Sequence, residues 1–441
     1  MQLTLDYARK KDSEDVLASF RKEFHIPVSN GKPSLYFCGN SLGLQPVNTK
    51  TYINRELEKW AELGVEGHFK TDTPWLNYQE DLKRITGTLV GASPSEIVIM
   101  NTLTVNIHML LISFYKPTKT RFKILCEAGS FPSDLYALKS HARLHGFDPK
   151  DVVVEIKPKT GEHLIDIENI LETIELHKNE LALIWMGGMN YYTGQLFDME
   201  KITKAGQDTG ALVGFDLAHA AGNVSLELNK WNVDFATWCT YKYMNSGPGG
   251  IGAAYINEKH GSDPTVFRFA GWWGNKPETR FLMRDEFEPA DGAAGWQVST
   301  GQILVMAPLK ASLDLFEKAG FARMRDKSIE LTNFLQSCIE SIAEKFKGIN
   351  KVQIITPLKI EQRGAQLSIS FGKHGKEIFT KLIEQGVIVD WREPAVIRIA
   401  PAPLYNSFEE VYRLSEVLEN IMHAVHETHV NPEKIKMESV H

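Results

Sequence analysis

Short apolar segments rich in valine and isoleucine recur along the first 256 residues of the chain. Each segment is bounded by polar or turn-forming residues and is hydrophobic throughout, without the alternation of a half-exposed strand. Continuous hydrophobicity is typical of strands that are buried on both faces of a largely parallel sheet. The seven segments are IVIM (97–100), KILC (123–126), VVVEI (152–156), LALIWM (181–186), ALVGFD (211–216), FATWCT (235–240) and IGAAYI (251–256).

Most gaps between these segments are long enough for an amphipathic helix. Apolar residues at helical spacing predict helices over residues 104–114, 133–145 and 165–177. Strands that alternate with helices indicate a doubly wound α/β domain. The last two segments are separated only by YKYMNSGPGG (241–250), which predicts a tight turn between antiparallel neighbours.

The pattern changes beyond about residue 310. We expect a smaller α+β domain at residues 311–441, because long helical patterns are followed there by short strand patterns. Residues 1–60 show no strong strand pattern and are expected to pack with this smaller domain. Residues 61–310 then form the large domain with a mostly parallel, seven-stranded sheet. The elements expected in the smaller domain are helices at 305–318 and 325–347, strands at 352–356 and 365–371, a further helix, a strand near 396–399 and a C-terminal helix at 407–426.

Composition narrows the class of protein. The chain has 441 residues, of which 43% are hydrophobic, and this apolar fraction excludes a disordered protein. The net charge of −6 argues against nucleic-acid binding, which usually requires a basic domain. Four widely spaced cysteines predict neither a disulfide scaffold nor a zinc site. Because no apolar segment resembles a signal peptide or a membrane span, we expect a soluble cytoplasmic protein with no bound metal.

Candidate chemistry lies directly after the predicted strands, because open α/β sheets bind ligands beyond the carboxyl ends of their strands. After the first segment, residues 101–104 (NTLT) open a helix, whose free N–H groups and hydroxyls could hold a phosphate or simply cap the helix. After the second segment, Phe131 precedes a Pro-Ser-Asp helix start, where its ring could contact a planar ligand or be buried.

Two ionisable residues end later segments. Asp216 ends ALVGFD, and a carboxylate there is costly to bury unless a cation lies next to it. His219 could contact the same group as Asp216. Alternatively, Asp216 could cap a helix. Lys242 follows FATWCT, where burial would lower its pKa and make the amine nucleophilic. The glycines of GPGG (247–250) come after this lysine, which excludes a P-loop.

The order of these residues is more specific than any one of them. A phosphate cradle, an aromatic ring, an aspartate and a lysine 26 residues later (242 − 216) follow successive strands. Pyridoxal 5′-phosphate needs these contacts: a phosphate anchor, a planar contact, a counter-ion for the ring nitrogen and an amine for a Schiff base. The sequence therefore predicts a pyridoxal-phosphate site.

Longer motifs carry a resemblance to a known family. They are YFCGNSLGLQP (36–46), MNTLTVNIH (100–108), FPSDLYA (131–137), YYTGQ (191–195), FDLAHAAGN (215–223), TYKYMNSGPGGIGA (240–253), FAGWWG (269–274), WQVSTG (296–301) and IRIAPAPLYNSF (397–408). In this order, the sequence resembles the kynureninase family of fold-type I pyridoxal-phosphate enzymes, which are similar to class V aminotransferases. The resemblance implies that fold and a homodimer with its active sites at the subunit interface.

The resemblance also implies roles for individual residues. Lys242 would bind the cofactor covalently, Asp216 would pair with its ring nitrogen, and Tyr241 would reach its phosphate and move protons in later steps. Trp272 and Thr300 would reach the cofactor across the dimer interface. The complete implied cofactor set is Leu103, Thr104, Phe131, Asp134, Asp216, His219, Tyr241, Lys242, Trp272 and Thr300.

The activity implied is hydrolysis of L-kynurenine or 3-hydroxy-L-kynurenine to anthranilate or 3-hydroxyanthranilate plus L-alanine, a step of tryptophan catabolism. Arg398 would bind the α-carboxylate of the substrate, because its planar fork matches a carboxylate. Ser41 and His68 would line the aryl end of the pocket. Gly187 departs from the family, which often has a hydroxyl residue in contact with the cofactor at that position.

Other functions remain compatible with the same residues. A cysteine desulfurase or a class V aminotransferase would share the fold, and a catalytically silent binding protein would share it without the chemistry. A desulfurase needs a reactive cysteine on a mobile loop, whereas Cys338 lies on the apolar face of a predicted helix and is expected in the core.

Overall fold

The computed structural model describes residues 2–347 and 351–430 of the chain. Its α-helices are α1 (Leu5–Glu14), α2 (Thr49–Leu63), α3 (Tyr78–Val90), α4 (Leu103–Phe114), α5 (Pro132–Leu144), α6 (Pro149–Val152), α7 (Ile167–Leu176), α8 (Met199–Asp208), α9 (Glu258–Gly261), α10 (Ile303–Ala319), α11 (Phe321–Lys345), α12 (Gly375–Glu384) and α13 (Phe408–Val430). The predicted helices over 104–114, 133–145 and 165–177 are confirmed as α4, α5 and α7, with ends shifted by one or two residues.

The strands include every segment that the apolar pattern predicts. They are β1 (Val28–Ser29), β2 (Lys32–Pro33), β3 (Leu35–Tyr36), β4 (Ile97–Ile99), β5 (Lys123–Glu127), β6 (Val153–Ile156), β7 (Leu181–Gly187), β8 (Leu212–Asp216), β9 (Phe235–Cys239), β10 (Gly252–Ile256), β11 (Gln353–Ile354), β12 (Leu367–Ser370), β13 (Val387–Ile388), β14 (Asp390–Arg392) and β15 (Val396–Ile399).

Seven of these strands form one sheet in the order β4-β10-β9-β8-β7-β5-β6. The pairs β9–β8, β8–β7, β7–β5 and β5–β6 are parallel, whereas β10 is antiparallel to both of its neighbours. The mostly parallel sheet and the antiparallel turn after β9 are therefore confirmed. Every residue of β4, β9 and β10 is buried, which accounts for the absence of alternation in their sequences.

The chain divides into two compact units. The larger unit consists of Asn48–Tyr191 and Gln195–Lys318, and it contains the seven-stranded sheet. Its core includes the stacked rings of Phe114 and Phe235, whose centroids are 4.3 Å apart, with Trp185 next to them. This apolar layer lies between the sheet and the helices that follow its strands, and it fixes the strand ends that carry the candidate chemistry.

The smaller unit consists of residues 2–47 and 192–194 and the described residues from Ala319 onward. Its antiparallel sheet has the order β11-β12-β15-β14, and β13 pairs in parallel with β3 of the N-terminal segment. Ala8 and Phe37 from that segment pack in the same core as residues of α11, α12 and α13. Cys338 is buried in this core, as the apolar face of its helix predicts.

No helix among the described residues is both long enough and apolar enough to cross a bilayer. In the same part of the chain, no group of three or more His, Cys, Asp or Glu side chains could hold a metal ion.

Candidate active site

Three adjacent strands of the larger unit end in residues that shape one site. Asp216 ends β8, Gly187 ends β7 and Glu127 ends β5, and these strands are neighbours in the order β8-β7-β5. Because parallel strands end at the same edge of the sheet, their last residues lie side by side where α/β domains bind ligands.

Lys242 lies just after β9 and is partly buried. Its Nζ is 3.1 Å from Nε2 of His219, and it is 6.0 Å from the ring centroids of both Phe131 and Tyr241. The amine is thus held against an imidazole between two aromatic faces. A primary amine in such a pocket is suited to forming a Schiff base with a carbonyl compound.

Asp216 is only 9% exposed, and it has an N–H donor and a cation to compensate its charge. The Ala218 N–H donates to Oδ1 of Asp216 at 2.8 Å. Burial raises the pKa of Asp216, while the positive charge of Lys242, the Ala218 N–H and a hydrogen bond with Asp134 lower it. Lys242 is thus a cation whose charge acts on this carboxylate.

Asp134 lies in the first turn of α5 and is buried against Asp216. The indole Nε1–H of Trp185 donates to Oδ1 of Asp134 at 2.8 Å. Burial, and then the charge of Asp216, raise the pKa of Asp134 well above its usual range, so Asp134 is the member of the pair that keeps a proton. Protonated Asp134 can donate to Asp216 and keep the latter ionised.

The start of α4 and the ring of Phe131 provide the other two contacts that the sequence predicts. The N-cap residue Thr102 makes no side-chain capping hydrogen bond, and Leu103 and Thr104 form the first helical turn, where N–H groups lack intrahelical partners. Phe131 is 41% exposed, and Tyr191 packs edge-on against its ring at 5.2 Å. A helix start suits a phosphate, and an exposed ring face suits a planar heterocycle.

The donor set of this site fits pyridoxal 5′-phosphate. A nucleophilic amine, a buried carboxylate, an aromatic face and a helix start are the four groups that the cofactor requires, and all come from the larger unit. Eight of the ten implied cofactor residues contribute directly to these groups or contact them, namely Leu103, Thr104, Phe131, Asp134, Asp216, His219, Tyr241 and Lys242. Tyr241 contacts Lys242 through its ring.

Trp272 and Thr300, the remaining cofactor candidates, lie at exposed positions of the same unit. Trp272 is 43% exposed, and its indole Nε1–H donates to the Arg280 carbonyl oxygen at 2.9 Å. Thr300 lines a cavity of about 380 Å³, where it is joined by His68. His68 packs edge-on against Trp75, which lines the same cavity. The structure thus brings His68 and Thr300 together in an apolar setting.

Arg398 and Ser41, the other two substrate candidates, contact each other in the smaller unit. Nη2 of Arg398 donates to Oγ of Ser41 at 3.1 Å, and Nε donates to Oδ1 of Asp390 at 2.9 Å. Ser41 in turn donates to Oδ2 of Asp390 at 2.5 Å. Arg398 is 1% exposed, and its charge helps to lower the pKa of Asp390 although burial acts in the opposite direction. The arginine is therefore fixed in place by a buried ion pair.

Two site residues lie outside the set that the sequence predicts. Glu127 ends an apolar strand as Asp216 does, so the same signal marks both residues. Asp390 is the ion-pair partner of Arg398. Its local sequence does not mark it as the end of an apolar strand, because the contact with Arg398 arises from the pairing of β14 with β15.

The departure at Gly187 has a structural explanation. The Gly187 N–H donates to both carboxyl oxygens of Glu127, at 3.2 and 3.1 Å. A Cβ atom at this position would lie 2.9 Å from Oε1 of Glu127. The carboxyl group of Glu127 therefore occupies the space that a side chain at residue 187 would need.

Solved structures show the fold of the chain. It is similar to the cysteine desulfurase of Thermococcus onnurineus, with a TM-score of 0.75 and 19% identity over 92% of this chain and 98% of that one. A C-DES variant, crystallised with glycine covalently linked to its PLP cofactor, gives a TM-score of 0.72 with 18% identity over 87% and 96% of the two chains. The fold-type I architecture expected from the resemblance is confirmed. Cys338 does not support the desulfurase hypothesis, because it is buried in the core of the smaller unit and a desulfurase needs a cysteine on a mobile loop.

Sequence comparisons decide between the families that share this fold. A family model described as the kynureninase C-terminal domain matches residues 324–418. The kynureninases of Flavobacterium psychrophilum and Myxococcus xanthus are 49% and 50% identical to the chain, over 95% and 94% of its length and 98% and 96% of theirs. That of Nematostella vectensis is 45% identical over 94% of this chain and 93% of its own. The chain belongs to the kynureninase family.

Proposed function

We propose that the chain is a pyridoxal-phosphate-dependent hydrolase that cleaves L-kynurenine, 3-hydroxy-L-kynurenine or both, releasing L-alanine and anthranilate or its 3-hydroxy form. The observation that carries the proposal is the contact of Lys242 with His219, close to the buried carboxylate of Asp216, in a chain of this family. The reaction breaks a carbon–carbon bond next to a ketone. It therefore needs a group that accepts the electrons left on the amino-acid fragment.

Residues of the larger unit would hold the cofactor. Lys242 would be its covalent attachment point, Asp216 would pair with its ring nitrogen and keep it protonated, and Phe131 would stack on its ring. The first turn of α4, with Leu103 and Thr104, would bind the phosphate together with Tyr241. When bound, pyridoxal 5′-phosphate supplies the electron sink for the carbanion that bond cleavage requires.

Two side chains are suited to proton transfer. The free amine of Lys242 would be the base for the Cα proton of the substrate. Burial raises the pKa of Tyr241, and the neighbouring Cys239 and Asp216 raise it further. The phenol of Tyr241 therefore keeps its proton at neutral pH and can deliver it in the later steps, when water has added to the ketone carbon and the aryl acid leaves.

Arg398, Ser41 and His68 are the proposed substrate ligands. The guanidinium of Arg398 is desolvated and fixed by Asp390, so its orientation toward a carboxylate needs little further ordering. We assign it to the α-carboxylate of the amino-acid substrate. His68 lies beside Thr300 in an apolar cavity that suits an aromatic ring.

We also propose a cytoplasmic homodimer in which Trp272 and Thr300 reach the cofactor of the partner subunit. Trp272 belongs to an exposed aromatic surface, the apolar patch, in which Phe281 contacts both Trp272 and Phe69. Contiguous exposed apolar side chains are typical of subunit interfaces. The four free cysteines are consistent with a reducing compartment. The other exposed apolar residues nearby in sequence are Phe267, Phe269, Leu282 and Met283.

The test is a product assay with both substrates. The purified chain, loaded with pyridoxal 5′-phosphate, is expected to release L-alanine and one aromatic amine in equal amounts from kynurenine, from 3-hydroxykynurenine or from both. The ratio of kcat/KM for the two substrates measures the preference. Formation of a keto acid in place of alanine would indicate an aminotransferase, and release of neither product would contradict the proposed hydrolysis while leaving cofactor binding unaffected.

A further inference from the structure

A buried carboxyl group that the proposed function does not use lies at the edge of the cofactor site. Glu127 is 3% exposed, and no cation is among the largest causes that shift its pKa. Both carboxyl oxygens accept hydrogen bonds from one backbone donor, the Gly187 N–H. Burying an acid without a cation is costly, so its presence beside a functional site calls for a reason other than packing.

The end of β7 connects Glu127 to Asp216. Gly187 pairs in register with Asp216 on one side of the strand, and its N–H bonds Glu127 on the other side. The next residue, Gly188, donates its N–H to the Asp216 carbonyl oxygen at 2.8 Å. Since Gly187 has no side chain, only the backbone of β7 lies at this position between the end of β5, with Glu127, and the end of β8, with Asp216.

The electrostatics of the cluster make Glu127 the member that titrates near neutrality. Burial raises the pKa of Glu127 to about 7, and the charge of Asp216 adds to the rise, whereas the backbone N–H of Glu127 itself, the Gly187 N–H and the Ser130 hydroxyl lower it. Asp134 faces the same cluster from α5, and the charge of Glu127 contributes to its raised pKa. Lys242 is a cation that faces the cluster, and its charge lowers the pKa of Asp216.

We propose that Glu127 is a positioning residue that acts through Asp216: when Glu127 loses its proton, the negative potential that Asp216 presents to a protonated cofactor ring increases. The like charges of Glu127 and Asp216, on the two strands that flank β7, repel each other when no cofactor is bound, and a cation bound to one of them is attracted by both. The proton of Glu127 goes to solvent, and no other bond changes. This inference rests on the proposed pairing of Asp216 with the ring nitrogen.

The consequence is a pH-dependent contribution of Glu127 to cofactor affinity. At pH 6 the carboxyl is neutral and equivalent to an amide, so Glu127→Gln is expected to bind pyridoxal 5′-phosphate within about twofold of the unchanged protein. At pH 8 the charge is present only in the unchanged protein. There the substitution is expected to weaken binding about 5- to 10-fold, which corresponds to somewhat less than one pKa unit of interaction.

The experiment titrates the cofactor-free full chain with pyridoxal 5′-phosphate at pH 6, 7 and 8 and follows tryptophan fluorescence. The matched control is Glu155→Gln, the same change on the adjacent strand β6, where the side chain is exposed and residue 155 pairs in register with Cys126. This control is expected to follow the unchanged protein at every pH. The quantity compared is the dissociation constant of Glu127→Gln divided by that of the unchanged protein. If this ratio stays constant from pH 6 to 8, the proposal is overturned, because a purely structural role would weaken binding equally at each pH.

Two further measurements separate this inference from the proposed function. Asp216→Asn is expected to weaken binding on its own and to abolish the pH-dependent effect of Glu127→Gln; normal affinity in Asp216→Asn would refute the role of Asp216 itself. If Glu127→Gln does not fold, infrared difference spectra of the unchanged cofactor-free protein test whether Glu127 loses its proton near neutral pH. They are expected to show a buried protonated carboxyl band that disappears between pH 6 and 8, and a spectrum without that change would overturn the proposal.

Discussion

The amine of Lys242 is the group on which the proposed chemistry depends most directly. Its nitrogen lies 3.1 Å from Nε2 of His219, and its positive charge lowers the pKa of Asp216, so one side chain connects the imidazole, the carboxylate and the aromatic faces of the site. A nucleophile arranged in this way is usually the residue whose removal costs most in rate.

Lys242→Ala is expected to lower kcat/KM by about 10³-fold or more, since both covalent attachment and proton abstraction are lost. The variant should also lack the visible absorbance of bound cofactor after gel filtration. Lys230→Ala, which removes an exposed lysine paired with Glu227, is the control and should remain coloured and active. Borohydride reduction followed by peptide mapping identifies the attachment point, and a label on another lysine would contradict the assignment.

Arg398→Lys tests the proposed carboxylate ligand. A lysine keeps the charge but not the planar fork, so one charge-assisted hydrogen bond worth about 1.5–3 kcal/mol should be lost. The expected result is a rise in KM of about 10- to 100-fold with a smaller change in kcat. Arg413→Lys, on the exposed side of α13, is the control and should leave both constants unchanged. An unaltered KM in Arg398→Lys would show that the substrate carboxylate binds elsewhere.

At the scale of elements, the segment that follows α3 packs closely against the backbone of the segment that precedes β9. Helix α3 ends at Gly91, which is left-handed at φ +66°, and the following chain leads into β4. A Cβ there would lie 2.4 Å from the Leu226 carbonyl oxygen and 2.5 Å from Cα of Glu227. This backbone contact joins two segments that are far apart in sequence, and only glycine permits it.

Gly91→Ala is therefore expected to destabilise the protein by about 3 kcal/mol or more, from the left-handed conformation and the collision with backbone. Gly146→Ala separates the two effects, because Gly146 is also left-handed, at φ +81°, but has open space at its Cβ position. Its expected cost is about 1 kcal/mol. Chemical denaturation of both variants gives the comparison, and equal losses would mean that the contact with Leu226 relaxes freely.

At the scale of the whole molecule, the proposed dimer makes each active site depend on two chains. Lys242→Ala and Trp272→Ala homodimers are both expected to be impaired. Refolding an equal mixture should form hybrids in which one site has Lys242 from one chain and Trp272 from the other. Because about one site in four is then intact, activity should recover to roughly a quarter of normal. Two impaired variants that stay impaired after mixing, with hybrids present by mass, would contradict shared sites.

Much of the site could be predicted from the sequence, because its residues follow recognisable strands. The continuous apolar segments predict every strand of the large sheet, and the residues just after them include Phe131, Asp216 and Lys242. The antiparallel position of β10 follows from the short connection before it. The role of Asp390 could not be predicted in this way, since it depends on the pairing of two short strands.

The sequence by itself determined the seven strands of the large sheet, three of the helices next to them and the type of cofactor, because burial on both faces imposes a local apolar pattern and because the predicted ligands of the cofactor follow that pattern. Only the tertiary structure decided which carboxyl groups share a site. Glu127 and Asp216 are 89 residues apart (216 − 127) and become neighbours through β7. Charge coupling depends on distance and burial in space, and neither quantity is encoded in the spacing of residues along the chain.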